Sequence, residues 1–375
     1  MSTPQPESEP RPLEPYDAIL LLSFGGPEQP DQVMPFLRNV TAGRGIPDER
    51  LAAVAEHYYG FGGRSPINDQ NRALLAALRT ELDRRGIATP LLWGNRNFDP
   101  FVTDTLREAH EDGVRRVLTV VTSAYSCYSS CRQYREDLAE AVGALADEGL
   151  DLQVDKVRPY WNHPGFARAN SRLVTEATRP LSAVPDGQLR LVFVTHSIPD
   201  GMDDTSGPGD GEGNLYRRQH LQLAGAVTDE VNATLSRSLD FEMVYCSRSG
   251  PPSQPWLEPD VNDRLEELAV EGVTDVVVAP IGFVSDHMEV KFDLDTEAAE
   301  TAARVGLRMV RVPTVGTDDE FVAGLVDLAL ERAGQARGEA VPTPVWPGDD
   351  VRPAVCRPGC CPNLRAAKPA LCGSD

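Results

Sequence analysis

Asp275-Val276-Val277-Val278-Ala279-Pro280-Ile281-Gly282-Phe283 is the stretch on which the fold turns. Its valines and alanine run without a polar interruption, over the length of a strand. An alternating strand shows one face to water. This one needs cover on both faces, as in a parallel sheet packed between helices. Seven more runs of similar length accompany it, at residues 17–23, 91–94, 116–121, 152–157, 191–195, 241–245 and 307–312. Between them, at 70–82, 133–145, 216–235 and 318–332, apolar residues recur every three or four positions. That is the period of a helix with one buried face. Alternation of strand and helix predicts parallel sheets joined by right-handed crossovers. Four strands followed by four predict two similar α/β halves, joined near residues 158–190. Ligands in such folds bind outside the carboxyl ends of the strands, here in the cleft between the halves.

Composition narrows the classes of function. The chain has 375 residues, 41% hydrophobic and 25% charged, enough for real cores in about two domains. No apolar run approaches the roughly 18 residues of a spanning helix. Residues 1–15 are rich in Pro and Glu and lack the apolar segment of a secretory signal, so a cytoplasmic location is expected. Fifty-seven acids against 36 bases leave a net charge of −21. That field repels phosphate backbones and argues against nucleic acid as a partner. An anionic small ligand would need a local basic pocket.

Seven cysteines, an odd number, argue against a disulfide scaffold. Cys127 and Cys131 lie mid-chain and Cys246 stands alone. Cys356, Cys360, Cys361 and Cys372 crowd the C-terminus, beyond a Gly/Pro-rich linker at 334–353. Four thiolates suit either a structural zinc ion or an iron–sulfur cluster. Unliganded, thiols so close together tend to oxidise.

Several motifs follow strand ends. Thr195-His196-Ser197-Ile198-Pro199 places an imidazole where it can bind a metal, accept a proton, or simply brace a loop. After residues 275–279 come Asp286, His287 and Glu289, then Asp293 and Glu297. Read as an α-helix, the spacing of four puts Glu289, Asp293 and Glu297 in one stripe. Like charges in a stripe repel. The stripe is therefore either a solvated face or a track for a cation or for protons. Phe24-Gly25-Gly26-Pro27 allows close backbone approach, but no dinucleotide or Walker pattern occurs. His57-Tyr58-Tyr59-Gly60-Phe61-Gly62-Gly63-Arg64-Ser65-Pro66 could clasp a flat anion or pack as a loop. Ser123 to Arg132, with Tyr125 and two cysteines, offers hydroxyls for carboxylates.

Taken in order, these pieces resemble the ferrochelatases. The matching stretches are Leu22-Ser-Phe-Gly-Gly-Pro27, Gly62-Gly-Arg-Ser-Pro-Ile67, Tyr160-Trp-Asn-His-Pro-Gly165, Val194-Thr-His-Ser-Ile-Pro199, Ser247-Arg-Ser-Gly-Pro251 with Pro255-Trp-Leu-Glu-Pro259, and Gly282-Phe-Val-Ser-Asp-His-Met-Glu289. They span residues 17 to 333. The resemblance implies two Rossmann-like, chelatase-type halves, each a four-stranded parallel sheet flanked by helices, with the active site in the cleft. With the composition it divides the chain into a tail at 1–15, halves at 16–158 and 159–333, and a linker and cysteine-rich tail at 334–375. It implies a lyase that inserts ferrous iron, its metal substrate, into a porphyrin in heme biosynthesis. It further implies that His196 and Glu289 are the iron-handling catalytic pair, facing each other across the macrocycle. Asp293 and Glu297 continue as an acidic track on a helix with a π-type stretch. Tyr58, Ser65 and Tyr125 fall at propionate contacts, and Trp256 at a pocket aromatic.

Two departures and one choice follow. Some relatives ligate the product iron with a Tyr after the first strand, where this chain has Phe24. The tail resembles the 2Fe–2S-bearing members, which use one internal and three C-terminal cysteines. Cys131, Cys356, Cys360 and Cys361 are the expected ligands, with Cys127 and Cys372 as alternatives. The stretch Arg38-Asn-Val-Thr-Ala-Gly-Arg44 is polar and basic and lacks a long hydrophobic lip. That favours coproporphyrin III, with Arg38, Arg44 and Arg64 as carboxylate partners, over protoporphyrin IX. The expected protein is a monomer without a transmembrane segment, passing coproheme to a downstream decarboxylase. The rival readings are a cobalt-inserting tetrapyrrole chelatase, a tetrapyrrole or iron carrier without turnover, and a cluster-based sensor.

Overall fold

A computed structural model describes residues 11–43, 45–209, 212–250 and 253–371. Residues 1–10, Arg44 and Cys372 lie outside the described residues.

All eight expected strands form. The first sheet holds β1 (Ala18–Ser23), β2 (Leu91–Asn95), β3 (Arg116–Val121) and β4 (Gln153–Lys156). The second holds β5 (Leu189–His196), β6 (Asp240–Cys246), β7 (Asp275–Ala279) and β8 (Arg308–Arg311). Every pairing is parallel, in the orders β2-β1-β3-β4 and β6-β5-β7-β8. The two orders are the same pattern repeated. Of the four inner strands, β1 and β7 are buried at every residue, as their apolar sequences require. Each fully buried Val, Leu or Ile contributes about 1.5–3 kcal/mol. One apolar core runs through both halves, from Leu21 of β1 to Phe193 of β5 and Phe321 of the helix Asp319–Ala336.

In each sheet the strand order reverses between the first and third strands. Crevices open at such switch points, at the carboxyl ends. In the second sheet this point lies between β5, which ends on His196, and β7, whose following loop leads to Glu289. Gly282 makes the approach possible. Its amide donates to the Val194 carbonyl at 3.1 Å. A Cβ there would lie 2.0 Å from Thr195 Oγ1, so only glycine fits.

The halves are also joined by polar contacts. Gln70 donates to the Asp286 carbonyl at 2.7 Å and accepts from its amide at 2.8 Å. Tyr125 Oη donates to the Ile281 carbonyl at 2.8 Å.

The expected linker begins later than its composition indicated, because the last helix continues to Ala336 through Gly334. A Cβ on Gly334 would sit 2.4 Å from Val341 Cγ1, so glycine lets the chain fold back closely. The segment beyond it is anchored, not free. Arg158 donates to the Pro344 carbonyl at 2.9 Å, the Trp346 amide to Asn162 at 2.7 Å, and Asn162 to Asp350 at 2.9 Å. No helix is long and apolar enough to cross a membrane among the described residues.

Candidate active site

His196 and Glu289 meet at the switch point. The imidazole Nε2 lies 4.0 Å from Glu289 Oε2, and both side chains are part-exposed. His196 Nδ1 contacts the Ser197 carbonyl. A carbonyl only accepts, so Nδ1 carries the hydrogen and Nε2 keeps a free lone pair towards Glu289. The separation corrects the expected arrangement of the pair. A flat macrocycle needs about 3.5 Å of van der Waals clearance on each of its faces. At 4.0 Å, the two side chains cannot sandwich one. They stand on the same side, because both leave carboxyl ends of one sheet.

Residues Val290–Ala298 form a π-type helical segment, which the family resemblance implied and the α-helical reading of the spacing did not. Its carboxylates differ in their partners. Asp295 is neutralised by Lys291 at 2.9 Å and Arg311 at 2.8 Å. Asp286 pairs with Arg311 at 2.7 Å, which draws it away from the site. Asp293 instead accepts from the Ser247 hydroxyl. Among the described residues, neither Asp293 nor Glu297 pairs with a lysine or arginine. Burial pushes the Asp293 carboxyl up to about 6, opposed by the Ser247 hydroxyl and reinforced by Glu289. Burial also raises Glu297, and it lowers His287. The stripe is therefore a line of uncompensated carboxylates leading from Glu289.

Ser247 escaped the sequence reading as a working residue, although its motif was noted. It sits at φ 61°, uncommon for a residue other than glycine. Its position behind Asp293 becomes visible only when β6 and the π segment pack.

The other candidates divide. Tyr58 packs edge-on against Phe36 at 5.8 Å, and burial, then the Glu289 charge, raise its phenol. His57 beside it stacks on Phe292 of the π segment, centroids 3.8 Å apart. Ser65 is buried, its Oγ 3.4 Å from the Ile67 amide. Trp256 bridges to Pro199 beyond His196, and its Nε1 is buried without a partner among the described residues. Tyr125 differs from the expected porphyrin contact. Its ring is 1% exposed and stacks on His220 at 3.5 Å, while its hydroxyl is held by Ile281. It braces the junction of the halves. Phe24 packs on Phe36 at 6.2 Å and offers no metal ligand. Arg38 pairs with Asp48 at 2.7 Å, and Arg64 pairs with Asp69. Such exposed pairs contribute little, so a ligand carboxylate can displace them.

A second constellation lies at the tail. Cys131, in the π turn Tyr128–Arg132 that heads the helix Gln133–Asp147, lies near enough to Cys356 to shift its thiol. Cys356 stands in the same relation to Cys360, and the Cys360 and Cys361 sulfurs are 3.9 Å apart. Cys361 exchanges backbone and thiol contacts with Gly207, at 2.8 and 3.3 Å. Cys127 stands apart, its sulfur accepting from the Ser130 amide at 3.4 Å. The neighbouring Cys356 and burial hold the Cys131 thiol well above its usual range. Cys356 lowers Cys360, but contact with Cys361 and burial outweigh it and push the thiol up to about 12. Among the described residues, no three ligating side chains close around one point. The thiols form a row of two neighbouring pairs instead.

Similarity to known proteins agrees with this geometry. The ferrochelatase family profile matches residues 16–333. The coproporphyrin III ferrochelatase of Streptomyces coelicolor is 54% identical over 369 residues, covering 96% of this chain and 97% of that protein. The one from Streptomyces griseus is 53% identical over 371 residues, covering 96% and 97%. A ferrochelatase of Rhodopirellula baltica is 46% identical over 345 residues, covering 92% and 94%. On the match through both halves and the site, this chain belongs to the ferrochelatase family.

Proposed function

We propose that this chain inserts ferrous iron into coproporphyrin III and yields coproheme. The observation that carries the reading is the His196–Glu289 pair, backed by carboxylates left without cations. The names of the Streptomyces relatives support the tetracarboxylate substrate, as does the polar stretch from Arg38. Insertion takes two protons from the pyrrole nitrogens and adds one dication, so charge balances when both protons leave. His196 Nε2 has the lone pair to accept a proton. Glu289 lies next to it, and Asp293 and Glu297 lead protons away. Asp293, held at about 6, can both take and release a proton near neutral pH. The product passes to a decarboxylating enzyme, in keeping with its four carboxylates.

The test is anaerobic metalation with ferrous iron, offered coproporphyrin III or protoporphyrin IX. Faster turnover of the first supports the reading. Preference for the second overturns the substrate. Binding of both without metalation would establish a carrier.

A pH prediction follows from the track. A protonated Asp293 cannot accept, so kcat should fall on the acid side of about pH 6. The Ser247 hydroxyl favours the charged carboxylate and lowers its pKa. Ser247→Ala should therefore move the acid limb of kcat to higher pH, and Asp293→Asn should remove that limb. An unmoved limb in Ser247→Ala would exclude Asp293 as the titrating group.

We further propose that Cys131, Cys356, Cys360 and Cys361 hold a 2Fe–2S cluster. Four neighbouring thiols, which become thiolate ligands when metal displaces their protons, suit a cluster of two irons. A bound cluster supplies a cross-link and a one-electron redox centre. Here it would tie the tail to the helix Gln133–Asp147 and to the Gly207 loop at once.

A further inference from the structure

Buried arginines in this chain have carboxylate partners. Arg158 pairs with Glu331 at 2.9 Å, Arg132 with Glu136 at 3.1 Å, and Arg96 with Asp137. Arg135 breaks the pattern. It is 0% exposed, and its Nε donates to the Leu371 carbonyl at 2.5 Å. Among the described residues its Nη1 and Nη2 have no hydrogen-bond partner and no carboxylate within ion-pair distance. Lys156, 1% exposed, repeats the anomaly, bonding among the described residues only to the Val157 carbonyl at 2.8 Å. A chain of net charge −21 has carboxylates in excess, yet among the described residues none reaches these two bases. A guanidinium buried without an anion is strongly unfavourable, so the missing counter-charge must come from another group.

Both bases lie close enough to act on the thiols. Arg135 follows Cys131 by four residues along one continuous helix, so the two share a face. Both charges act on Cys131, and that of Arg135 acts on Cys356 as well. A 2Fe–2S cluster on four thiolates carries a formal charge of about −2 with both irons ferric, and one more negative after reduction.

We propose that Arg135, with Lys156 behind it, is the counter-ion of the cluster, donates from its free Nη groups to cluster sulfur, and sets the cluster's reduction potential. The inference rests on the cluster reading given above. The step it controls is the gain of one electron from an added reductant, converting one ferric iron to ferrous. A fixed cation stabilises the more negative, reduced form, so its removal makes reduction harder.

The experiment is a reductive titration of the full chain, purified anaerobically, with iron and acid-labile sulfide measured beside it. Arg135→Met, Arg135→Lys and Lys156→Met are compared with the unchanged protein. Arg135→Met should lower the equilibrium constant for reduction at least tenfold, about 59 mV to the negative side. Arg135→Lys should recover much of that, and Lys156→Met should shift the same way by less. An Arg135→Met protein that keeps its cluster and titrates within twofold of the unchanged one overturns the counter-ion role and leaves the cluster reading standing. If Arg135→Met does not retain the cluster, Lys156→Met decides. A negative shift there supports the proposal, and no shift overturns it. Absence of bound iron and sulfide from the unchanged protein after anaerobic reconstitution overturns the cluster reading and this inference together.

Discussion

His196→Ala is expected to lower kcat for iron insertion by roughly 10²–10⁴-fold, the range for loss of a positioned acid–base group. Porphyrin affinity should change only a few-fold, because one imidazole is a small part of the area a macrocycle covers. With Nδ1–H held by the Ser197 carbonyl, Nε2 is the free base nearest the cleft, and Glu289 stands 4.0 Å behind it. Alanine leaves the carboxylate line intact but removes the acceptor before it. Anaerobic single-turnover absorbance separates binding from metalation. A variant that binds and metalates at the parental rate would remove His196 from the mechanism and shift the weight to Glu289 alone.

Glu331→Ala should give the largest loss of stability. Its carboxylate takes two bonds from Arg158, at 2.9 and 3.3 Å, in a site where both side chains are almost fully buried. Removing the acid leaves a guanidinium in the junction between β4, the last helix and the anchored strap. Breaking such a pair costs about 3–5 kcal/mol. The midpoint of urea unfolding should fall accordingly, while kcat at low temperature stays near its parental value. The paired change Arg158→Met with Glu331→Leu should restore most of the loss, since an apolar pair of similar volume needs no counter-charge. An equal or deeper loss in the double variant would show that the pair, and not its breaking, carries the stability.

Much of the fold was legible in the chain. Strand length, the apolar run at Val276–Val278 and the alternation with helical periods are local properties, and burial on both faces demands them in sequence. The eight strands and their division into two similar halves follow, while the strand order within each sheet came only with the structure. The ends were less legible. Helix Asp319–Ala336 runs past Arg332 because Gly334 is accommodated by the returning chain, a contact with no local signature. Candidate site residues were legible where they lie in short motifs, as at His196 and at Glu289, Asp293 and Glu297. Ser247 was not, because its role depends on a neighbour 46 residues away.

The sequence by itself determined the fold class and the family, and named the candidate residues for metal and protons, since each is written in a contiguous pattern or in spacing. Only the tertiary structure decided geometry between distant segments. It set His196 4.0 Å from Glu289, buried Tyr125 against His220, brought Cys131 near Cys356, and left the Arg135 Nη groups without a hydrogen-bond partner among the described residues. The physical reason is common to all four. Hydrogen bonds, charge and packing act over a few ångströms in space, and which groups come that close is fixed by how the two sheets and the tail assemble.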